Sequence, residues 1–166
     1  MRVNIALLTV TDTRTLKTDK SGNILVKKIG KAKHNLVDRK ICKDSKNSIK
    51  KILKGWIKKK KIDVIITTGG TGLTGRDITP EALEEIADKH IPGFGEVFRT
   101  ISLKTVGTSS IQSRACAILA NGKYIFALPG SSGGVTDAWD KILLHQLDIN
   151  HKPCNFVELL PRLKEK

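Results

Sequence analysis

Two glycine-rich segments of the chain could hold a phosphate group. They are residues 67–72 (TTGGTG) and residues 128–134 (LPGSSGG), and each follows an apolar run that reads as a buried strand. Glycine lets backbone N–H groups approach phosphate oxygens closely, and Thr71 and Ser131 add hydroxyl donors. One such loop is more often only a tight turn. Because parallel sheets bind ligands at the carboxyl ends of their strands, two loops at equivalent positions favour a phosphate site.

The first glycine segment matches two better-known signatures only in part. Residues 70–75 satisfy the GxGxxG fingerprint of dinucleotide-binding proteins, but that fingerprint opens a helix directly, and the helix signal here begins only at Thr79. No strand ends near Glu96, where the ribose-binding acid would be expected. A P-loop needs Lys and then Ser or Thr after its last glycine, and the sequence has Arg76 and Asp77 there. Both signatures are therefore excluded.

Several carboxylates should gather near the first glycine segment. Asp77 and Glu81 lie four residues apart at a predicted helix start, and Asp44 follows the preceding strand. Asp12 and Asp19 lie near the end of the first strand and could add more. Mg²⁺ prefers few carboxylates together with ligand phosphates, which this arrangement could supply. The alternative is that Asp77 caps a turn and Glu81 only satisfies the helix dipole.

The elements that must position these residues alternate between strands and helices. The predicted strands cover residues 3–10, 36–41, 62–68 and 124–128, and the predicted helices cover residues 21–33, 49–57, 109–120 and 135–146, with another starting at Thr79. This order predicts an α/β sheet with helices on both faces, in a single domain over residues 1–166. The tail from Asn150 reads as irregular.

Two helix starts have specific signals. Apolar residues in 49–57 recur at helical spacing between lysines, and Asp44 or Ser45 is the expected N-cap. Thr79, Pro80 and Glu81 follow the usual order of an N-cap, a first-turn proline and a first-turn acid. The capping residues therefore predict where both helices begin.

The positive charge of the chain is confined to one segment. Residues 17–61 carry 17 Lys and Arg against three acids, which gives 17 − 3 = +14, while the remaining residues carry 13 of each sign. A solvated basic surface and attraction of anionic ligands or partners both explain this segment. Aromatic residues make up only 4% of the chain, which argues against a stacking platform for single-stranded nucleic acid. We expect no nucleic-acid partner.

Cysteine and histidine show no metal-binding pattern. Cys42, Cys116 and Cys154 are far apart without CxxC spacing, and the four histidines are scattered, so no His/Cys metal centre is predicted. Three unpaired thiols favour a reducing compartment. The apolar run at residues 5–10 is too short for a membrane span or a signal sequence. The sequence therefore predicts a cytoplasmic protein with no membrane partner.

The motifs taken together resemble one family. Residues 68–72 (TGGTG) and 75–82 (GRDITPEA) resemble the GGTG…RDxTPEA signature of the MoaB/MogA family of molybdenum cofactor biosynthesis proteins. Further segments resemble the family in family order: residues 9–14, 19–22, 91–96, 128–131 and 153–159. The resemblance covers nearly the whole chain, and its first and last segments are closer to MoaB than to MogA.

The resemblance implies a fold, an assembly and a reaction. The implied fold is a three-layer α/β/α arrangement with a mostly parallel mixed sheet, assembled as a homotrimer or homohexamer. The implied reaction joins ATP and molybdopterin, with Mg²⁺, to give adenylyl-molybdopterin and pyrophosphate, the pterin phosphate attacking the α-phosphorus of ATP. Other molybdenum cofactor pathway proteins are implied as partners.

The resemblance also implies residue roles. Asp44 and Asp77 match the family's essential carboxylates, with roles in catalysis and metal binding. The implied substrate and nucleotide contacts are Thr11, Asp12, Asp19, Ser21, Thr68, Gly69, Gly70, Thr71, Gly72, Thr79, Glu81, Pro129, Gly130 and Ser131. Positioning and charge neutralisation are most of what phosphoryl-type transfer requires, so a catalytic triad is not expected.

The same resemblance leaves a second function open. The resemblance also fits a protein that binds the pterin without adenylylating it, so a non-catalytic molybdopterin-binding or assembly protein of the same fold is the alternative. Thr11 stands where the family commonly has Ser, Cys42 and Lys43 stand where it has Val and Pro, and residues 132–134 replace a turn that usually contains proline.

Overall fold

One six-stranded sheet organises the chain in a computed structural model that describes residues 1–165. The strands are β1 (Asn4–Val10), β2 (Asn35–Cys42), β3 (Val64–Thr68), β4 (Lys89–His90), β5 (Cys116–Ala120) and β6 (Lys123–Leu128). The helices are α1 (Lys20–Lys31), α2 (Lys46–Ile57), α3 (Thr79–Glu84), α4 (Pro92–Val106), α5 (Ser132–Ala138), α6 (Leu144–Gln146) and α7 (Phe156–Leu159). A 3-10 segment (Gly107–Gln112) follows α4, and a π-helical turn (Trp139–Leu143) joins α5 to α6.

The sheet is mixed and mostly parallel at its centre. Its order is β2-β1-β3-β6-β5-β4, with β1 parallel to β2 and β3, and β3 parallel to β6. The pairs of β5 with β6 and of β4 with β5 are antiparallel. The carboxyl ends of β1, β2, β3 and β6 therefore meet at one edge, where both glycine segments begin.

Helices cover both faces of the sheet. On one face Leu7 and Phe126 pack in a core that contains Leu25 of α1 and residues of α4, α5 and α7. On the other face Leu8 packs in a core with Leu53 of α2 and residues of α3. Apolar strands buried on both faces and amphipathic helices account for this arrangement. The predicted three-layer α/β/α fold is confirmed.

Most predicted elements lie within a few residues of the observed ones. The helix predicted over residues 21–33 is α1, which begins one residue earlier because Asp19 accepts a hydrogen bond from the Gly22 N–H at 2.8 Å. Of the two caps proposed for α2, Ser45 is the observed one, and its hydroxyl accepts from the Ser48 N–H. No helix within residues 1–165 has the length and apolar content needed to cross a membrane.

The helix predicted over residues 109–120 is wrong. The chain forms the 3-10 segment there and then β5, which pairs with β6 through a turn at Asn121 and Gly122. Both turn residues have positive φ, +48° and +74°, as in the Asn-Gly turns that favour hairpins. Alanines in β5 favour helix locally, but pairing with β6 and burial on both cores outweigh that preference.

Two further helices, α4 and α7, were not predicted from the sequence. Helix α4 was not predicted, although Pro92 at its start and Phe94, Phe98 and Ser102 at buried i, i+4 and i+8 positions are its signals. The tail from residue 150 is not wholly irregular, because Asn155 caps the short helix α7.

Candidate functional site

The two glycine segments touch each other at the carboxyl ends of β3 and β6. The Gly69 N–H donates to the Leu128 carbonyl at 3.0 Å, and the Thr68 hydroxyl donates to the Pro129 carbonyl at 2.8 Å. A Cβ on Gly130 would lie 3.3 Å from the Gly69 Cα. Gly69 itself has a φ of +102°, so both loops depend on glycine at the point where they meet.

Thr79 holds the first glycine loop in place through two hydrogen bonds to its backbone. Its N–H donates to the Gly70 carbonyl at 3.0 Å, and its hydroxyl donates to the Gly69 carbonyl at 2.9 Å. Thr79 is fully buried, and Ile78 occupies the N-cap position that the sequence assigned to Thr79. The structure thus places Thr79 under the loop, outside both cavities described below, and its hydroxyl supports the backbone.

A cavity of about 1080 Å³ opens beside the touching loops. Predicted site residues on its wall are Gly70, Thr71, Gly72, Asp77, Pro129, Gly130 and Ser131. The remaining wall comes from α4, the 3-10 segment and α5. It contains Phe98, Ser102, Thr105, Val106, Ser109, Ser110, Gln112, Ser113, Ser132, Gly133, Gly134, Thr136 and Asp137. The hydroxyl-rich wall from α4 and the 3-10 segment was missed because α4 was not predicted and residues 109–120 were assigned to the wrong element.

A smaller cavity of about 310 Å³ lies on the other side of the touching loops. Predicted site residues on its wall are Thr11, Asp19, Ser21, Thr68, Gly69, Gly130 and Ser131. Arg14, Lys20 and Ser132 also line it and were not predicted. Gly130, Ser131 and Ser132 line both cavities, so the second loop forms the boundary between them.

Ser131 is exposed at this boundary and also begins α5. Its hydroxyl oxygen accepts a hydrogen bond from the Gly134 N–H at 3.1 Å. An oxygen that accepts this bond keeps its own hydrogen for donation. Ser131 can therefore cap α5 and still donate to a ligand in either cavity.

Asp19 is a structural carboxylate at the wall of the smaller cavity. Its oxygens accept from the Thr9 hydroxyl at 2.6 Å, the Gly22 N–H at 2.8 Å and the Arg39 guanidinium at 2.9 Å. Burial by itself would raise the pKa of Asp19, but these hydrogen bonds and the Arg39 charge outweigh burial and lower it. Ser21 also donates to Asp19, at 3.3 Å, so both predicted residues lie at the site with contacts already within the protein.

Asp44, Asp12 and Asp77 form an acidic group around the first glycine loop. A Cβ on Gly70 would lie 3.5 Å from a carboxylate oxygen of Asp44, and the Asp44 N–H donates to Asp12 at 3.1 Å. Burial, then the negative charges of Asp12 and Asp77, raise the pKa of Asp44, although Arg76 opposes this. Within residues 1–165 no group of three or more His, Cys, Asp or Glu side chains could hold a metal ion by itself, so Mg²⁺ beside Asp44 and Asp77 would need phosphate oxygens as further ligands, which is the coordination it prefers.

Asp77 is held in a fixed orientation by the loop it closes. Its Oδ2 atom accepts from the Thr74 N–H at 2.8 Å and the Thr74 hydroxyl at 2.7 Å. Burial would raise the pKa of Asp77, but hydrogen bonds from Thr74 and from the Gly72 N–H lower it overall. A Cβ on Gly72 would lie 2.8 Å from the Asp77 carboxylate, so glycine there makes room for the charge.

Glu81 does not line either cavity. Its carboxylate pairs with the Arg114 guanidinium, and this hydrogen bond is the main reason why the pKa of Glu81 is lowered. The sequence predicted a ligand contact for Glu81 and did not identify Arg114 at all. Arg114 lies 33 residues further along the chain, so no local pattern joins the two.

Comparison with known proteins gives a consistent result. Residues 6–149 match the family described as "Probable molybdopterin binding domain". The chain is 44% identical over 152 residues to Molybdenum cofactor biosynthesis protein B of Escherichia coli K12, covering 92% of this chain and 89% of that protein. It is 43% identical over 146 residues to the protein of the same name from Bacillus cereus, covering 87% and 86%.

Solved structures of related proteins have the same fold. A crystal structure of Molybdenum cofactor biosynthesis protein B superposes with a TM-score of 0.90 at 38% identity, covering 100% of this chain and 98% of that one. A MogA structure superposes with a TM-score of 0.79 at 27% identity, covering 96% and 99%.

Proposed function

Because the chain belongs to the molybdopterin-binding family of molybdenum cofactor biosynthesis proteins, we propose that it adenylylates molybdopterin with Mg-ATP. The observation that carries the proposal is that Asp44 and Asp77 both lie against glycines of the first loop, and that Asp77 lines a cavity which shares Ser131 with a second cavity. Two substrates whose phosphates must meet need two spaces with a common boundary. Gly130 and Ser131 form such a boundary.

The proposed reaction forms one phosphorus–oxygen bond and breaks another. An oxygen of the pterin phosphate attacks the α-phosphorus of ATP, and the bond from that phosphorus to the β-phosphate oxygen breaks. Pyrophosphate leaves with the bonding electrons, and the product is a phosphoanhydride. Both substrates are anions, so the protein's main tasks are to align them and to offset their charge.

Each part of the site has a proposed task. The backbone of the loop at Gly70 and Thr71 and the hydroxyl of Ser131 bind phosphate oxygens. Asp44 and Asp77 would hold Mg²⁺, which when bound neutralises phosphate charge during the transfer. The hydroxyl-rich wall of the larger cavity offers hydrogen bonds to a polar ring system. The three free cysteines suit a reducing setting such as the cytoplasm.

The test is pyrophosphate release from purified protein supplied with Mg-ATP and molybdopterin. We expect Asp77→Asn to lower the rate by at least about 100-fold, the scale reported when an electrostatic stabiliser is removed from an active site. Its melting temperature should change little, because asparagine can still accept from Thr74. Asp63→Asn is the matched control, because Asp63 lies just before β3, at the opposite end of that strand, and accepts from the Asn4 N–H.

One result would reject the role of Asp77, and another would reject the transferase. Wild-type rates in Asp77→Asn would remove the carboxylate from the mechanism. Saturable molybdopterin binding without pyrophosphate release, under conditions in which a MogA protein is active, would replace the transferase with the non-catalytic binding protein.

A further inference from the structure

Arg114 connects several parts of the loop that carries Asp77. It lies between the 3-10 segment and β5, and its Nε–H donates to the Gly72 carbonyl at 2.7 Å. Its Nη2 group donates to the Asp77 carbonyl, and its backbone N–H donates to the Thr71 carbonyl at 2.9 Å. Its Nη1 group pairs with Glu81 on α3. One residue therefore holds the start and the end of the loop together.

The geometry of arginine suits this task. Its guanidinium presents donors in a rigid plane, so the positions of the acceptors are fixed relative to one another. The acceptors on Gly72 and Asp77 flank residues 73–76, which are all exposed. Within this loop the Asp77 N–H donates to the Thr74 carbonyl, and Thr74 donates to the Asp77 carboxylate. Arg114 adds the contacts that anchor the loop to the neighbouring segment of the chain.

Arg114 acts from outside the larger cavity. It lines a separate groove of about 580 Å³, together with Arg99 and residues from the start of α4 and from β5. The wall of the larger cavity contains Gly72 and Asp77 but not Arg114. A ligand in the larger cavity would therefore meet the loop and not the guanidinium behind it.

The ion pair with Glu81 is too exposed to be a major source of stability. The side chains of Arg114 and Glu81 are 31% and 43% exposed, and ion pairs of this kind contribute at most about 1 kcal/mol. Their arrangement instead fixes the direction of the loop relative to α3, because Glu81 lies on α3 and Arg114 also contacts the loop. This favours a role in geometry over a role in folding.

We propose that Arg114 is a positioning residue for the transfer reaction: it sets the orientation of the Asp77 carboxylate by fixing the backbone of Gly72 and Asp77. This inference rests on the proposed function for its catalytic consequence. Its structural part, an ordered loop between Gly72 and Asp77, can be tested without turnover.

The experiment compares Arg114→Met and Arg114→Lys with the matched control Arg99→Met. Arg99 lines the same groove and donates to the Ser113 and Ala115 carbonyls, but it does not contact the loop. Three readouts are measured on the full chain: amide hydrogen exchange of residues 72–77, binding of the Mg²⁺ complex of α,β-methylene-ATP, and kcat and KM for pyrophosphate release.

We expect Arg114→Met to speed exchange in residues 72–77 by at least about tenfold while exchange in β6 stays unchanged, because the opening is local. A misplaced Asp77 should lower kcat by about 100-fold with a much smaller change in KM for ATP. Binding of the ATP analogue should therefore weaken by less than kcat falls. Arg114→Lys keeps the charge but loses the planar donor set, so it should restore little of kcat.

Several results would overturn the proposal. Unchanged exchange in Arg114→Met would show that the loop does not depend on Arg114. Equal effects in Arg99→Met would show general loosening of the groove, and full rescue by Arg114→Lys would show that charge alone matters. If wild-type protein releases no pyrophosphate, the transferase proposal fails, while the exchange measurements still decide whether Arg114 orders the loop.

Discussion

Asp19 illustrates how a residue can lie at the site and yet serve mainly the fold. It is 1% exposed and joins the end of β1 to the start of α1 and to Arg39 of β2. Removal of one partner from a buried ion pair leaves the other charge without compensation. The carboxylate of Asp19 therefore stabilises the packing of α1 against the carboxyl end of β1 and against β2.

We expect Asp19→Asn to lower the free energy of unfolding by about 3 kcal/mol at pH 7, because Arg39 loses its charged partner. The pKa of Asp19 is lowered in the folded protein, so its stabilising effect is present above the ordinary value of 3.8 and is lost as the pH falls through the folded pKa. Urea denaturation at pH 7 and at pH 3 should therefore show a smaller difference between variant and wild type at pH 3.

The exposed Glu96 on α4 provides the control, since Glu96→Gln should leave both measurements near wild type. An equal loss of stability at the two pH values would mean that shape and hydrogen bonding, and not the charge of Asp19, account for the effect.

Residues within short motifs were predictable, and residues brought in from elsewhere were not. The glycine segments, Asp77 and Ser131 lie in contiguous patterns whose chemistry is local. Arg114 donates mainly to backbone carbonyls, which leave no mark in the sequence, and Gly72 lies 42 residues before it. The ion pair between Arg114 and Glu81 was not predicted for the same reason, because the two residues lie 33 positions apart in the chain.

The helices and strands also differ in whether they can be predicted from their own sequence or depend on a partner elsewhere in the chain. Amphipathic α2 and the buried strands β1 and β3 follow from their own residue patterns. β5 depends on β6, which supplies the partner that converts an alanine-containing segment into a strand. The Asn121 and Gly122 pair was the available signal for the hairpin of β5 and β6.

Two glycines with open space around them should respond in opposite ways to alanine. Nothing lies within 4 Å of a Cβ built on Gly55 in α2 or on Gly107 at the end of α4. Gly55→Ala should raise the free energy of unfolding by about 0.5–1 kcal/mol, because Gly55 is an exposed position in the interior of α2. Gly107→Ala should lower it by about 1–3 kcal/mol, because its φ is +60° and its ψ is −144°.

Chemical denaturation of the two variants beside wild type measures both changes. A Cβ would meet no atom within 4 Å at either position. If both variants changed the free energy of unfolding in the same direction, backbone conformation would not be the deciding factor.

At the scale of the molecule, the positive charge surrounds one edge of the sheet. Residues 17–61 contain α1, β2 and α2, and β2 is the edge strand between the two helices. Part of this charge is already paired: Glu85 binds Lys46 and Lys50, and Asp38 binds Lys59. The exposed Lys40 on β2 also opposes pairing of that edge with another strand.

Assembly is proposed on a different part of the surface. Val97, Leu103, Val106 and Ile111 lie on α4 and the 3-10 segment and are between 49% and 76% exposed. Exposed apolar side chains on two consecutive elements favour a contact surface there. We predict that the homotrimer or homohexamer implied by the sequence would associate through this surface.

Charged replacements on that surface should dissociate the assembly. We expect Leu103→Lys combined with Ile111→Lys to reduce the mass measured by sedimentation from three or six chains towards one, because lysine cannot be buried there without a partner. Leu159→Lys, on α7, is the control and should keep the wild-type mass. A wild-type protein that sediments as a single chain would contradict the proposal directly.

The contact between Gly69 and Gly130 also constrains how this sequence can diverge over time. A methyl group at residue 130 would press on the Gly69 Cα at 3.3 Å, and a methyl group at residue 69 would meet the Val10 carbonyl oxygen at 2.2 Å. Neither loop can retreat independently, because each is hydrogen-bonded to the other. Evolutionary drift at one glycine is therefore tolerated only if three separate chain segments change together, and descendants of this protein should inherit the two loops as a single unit.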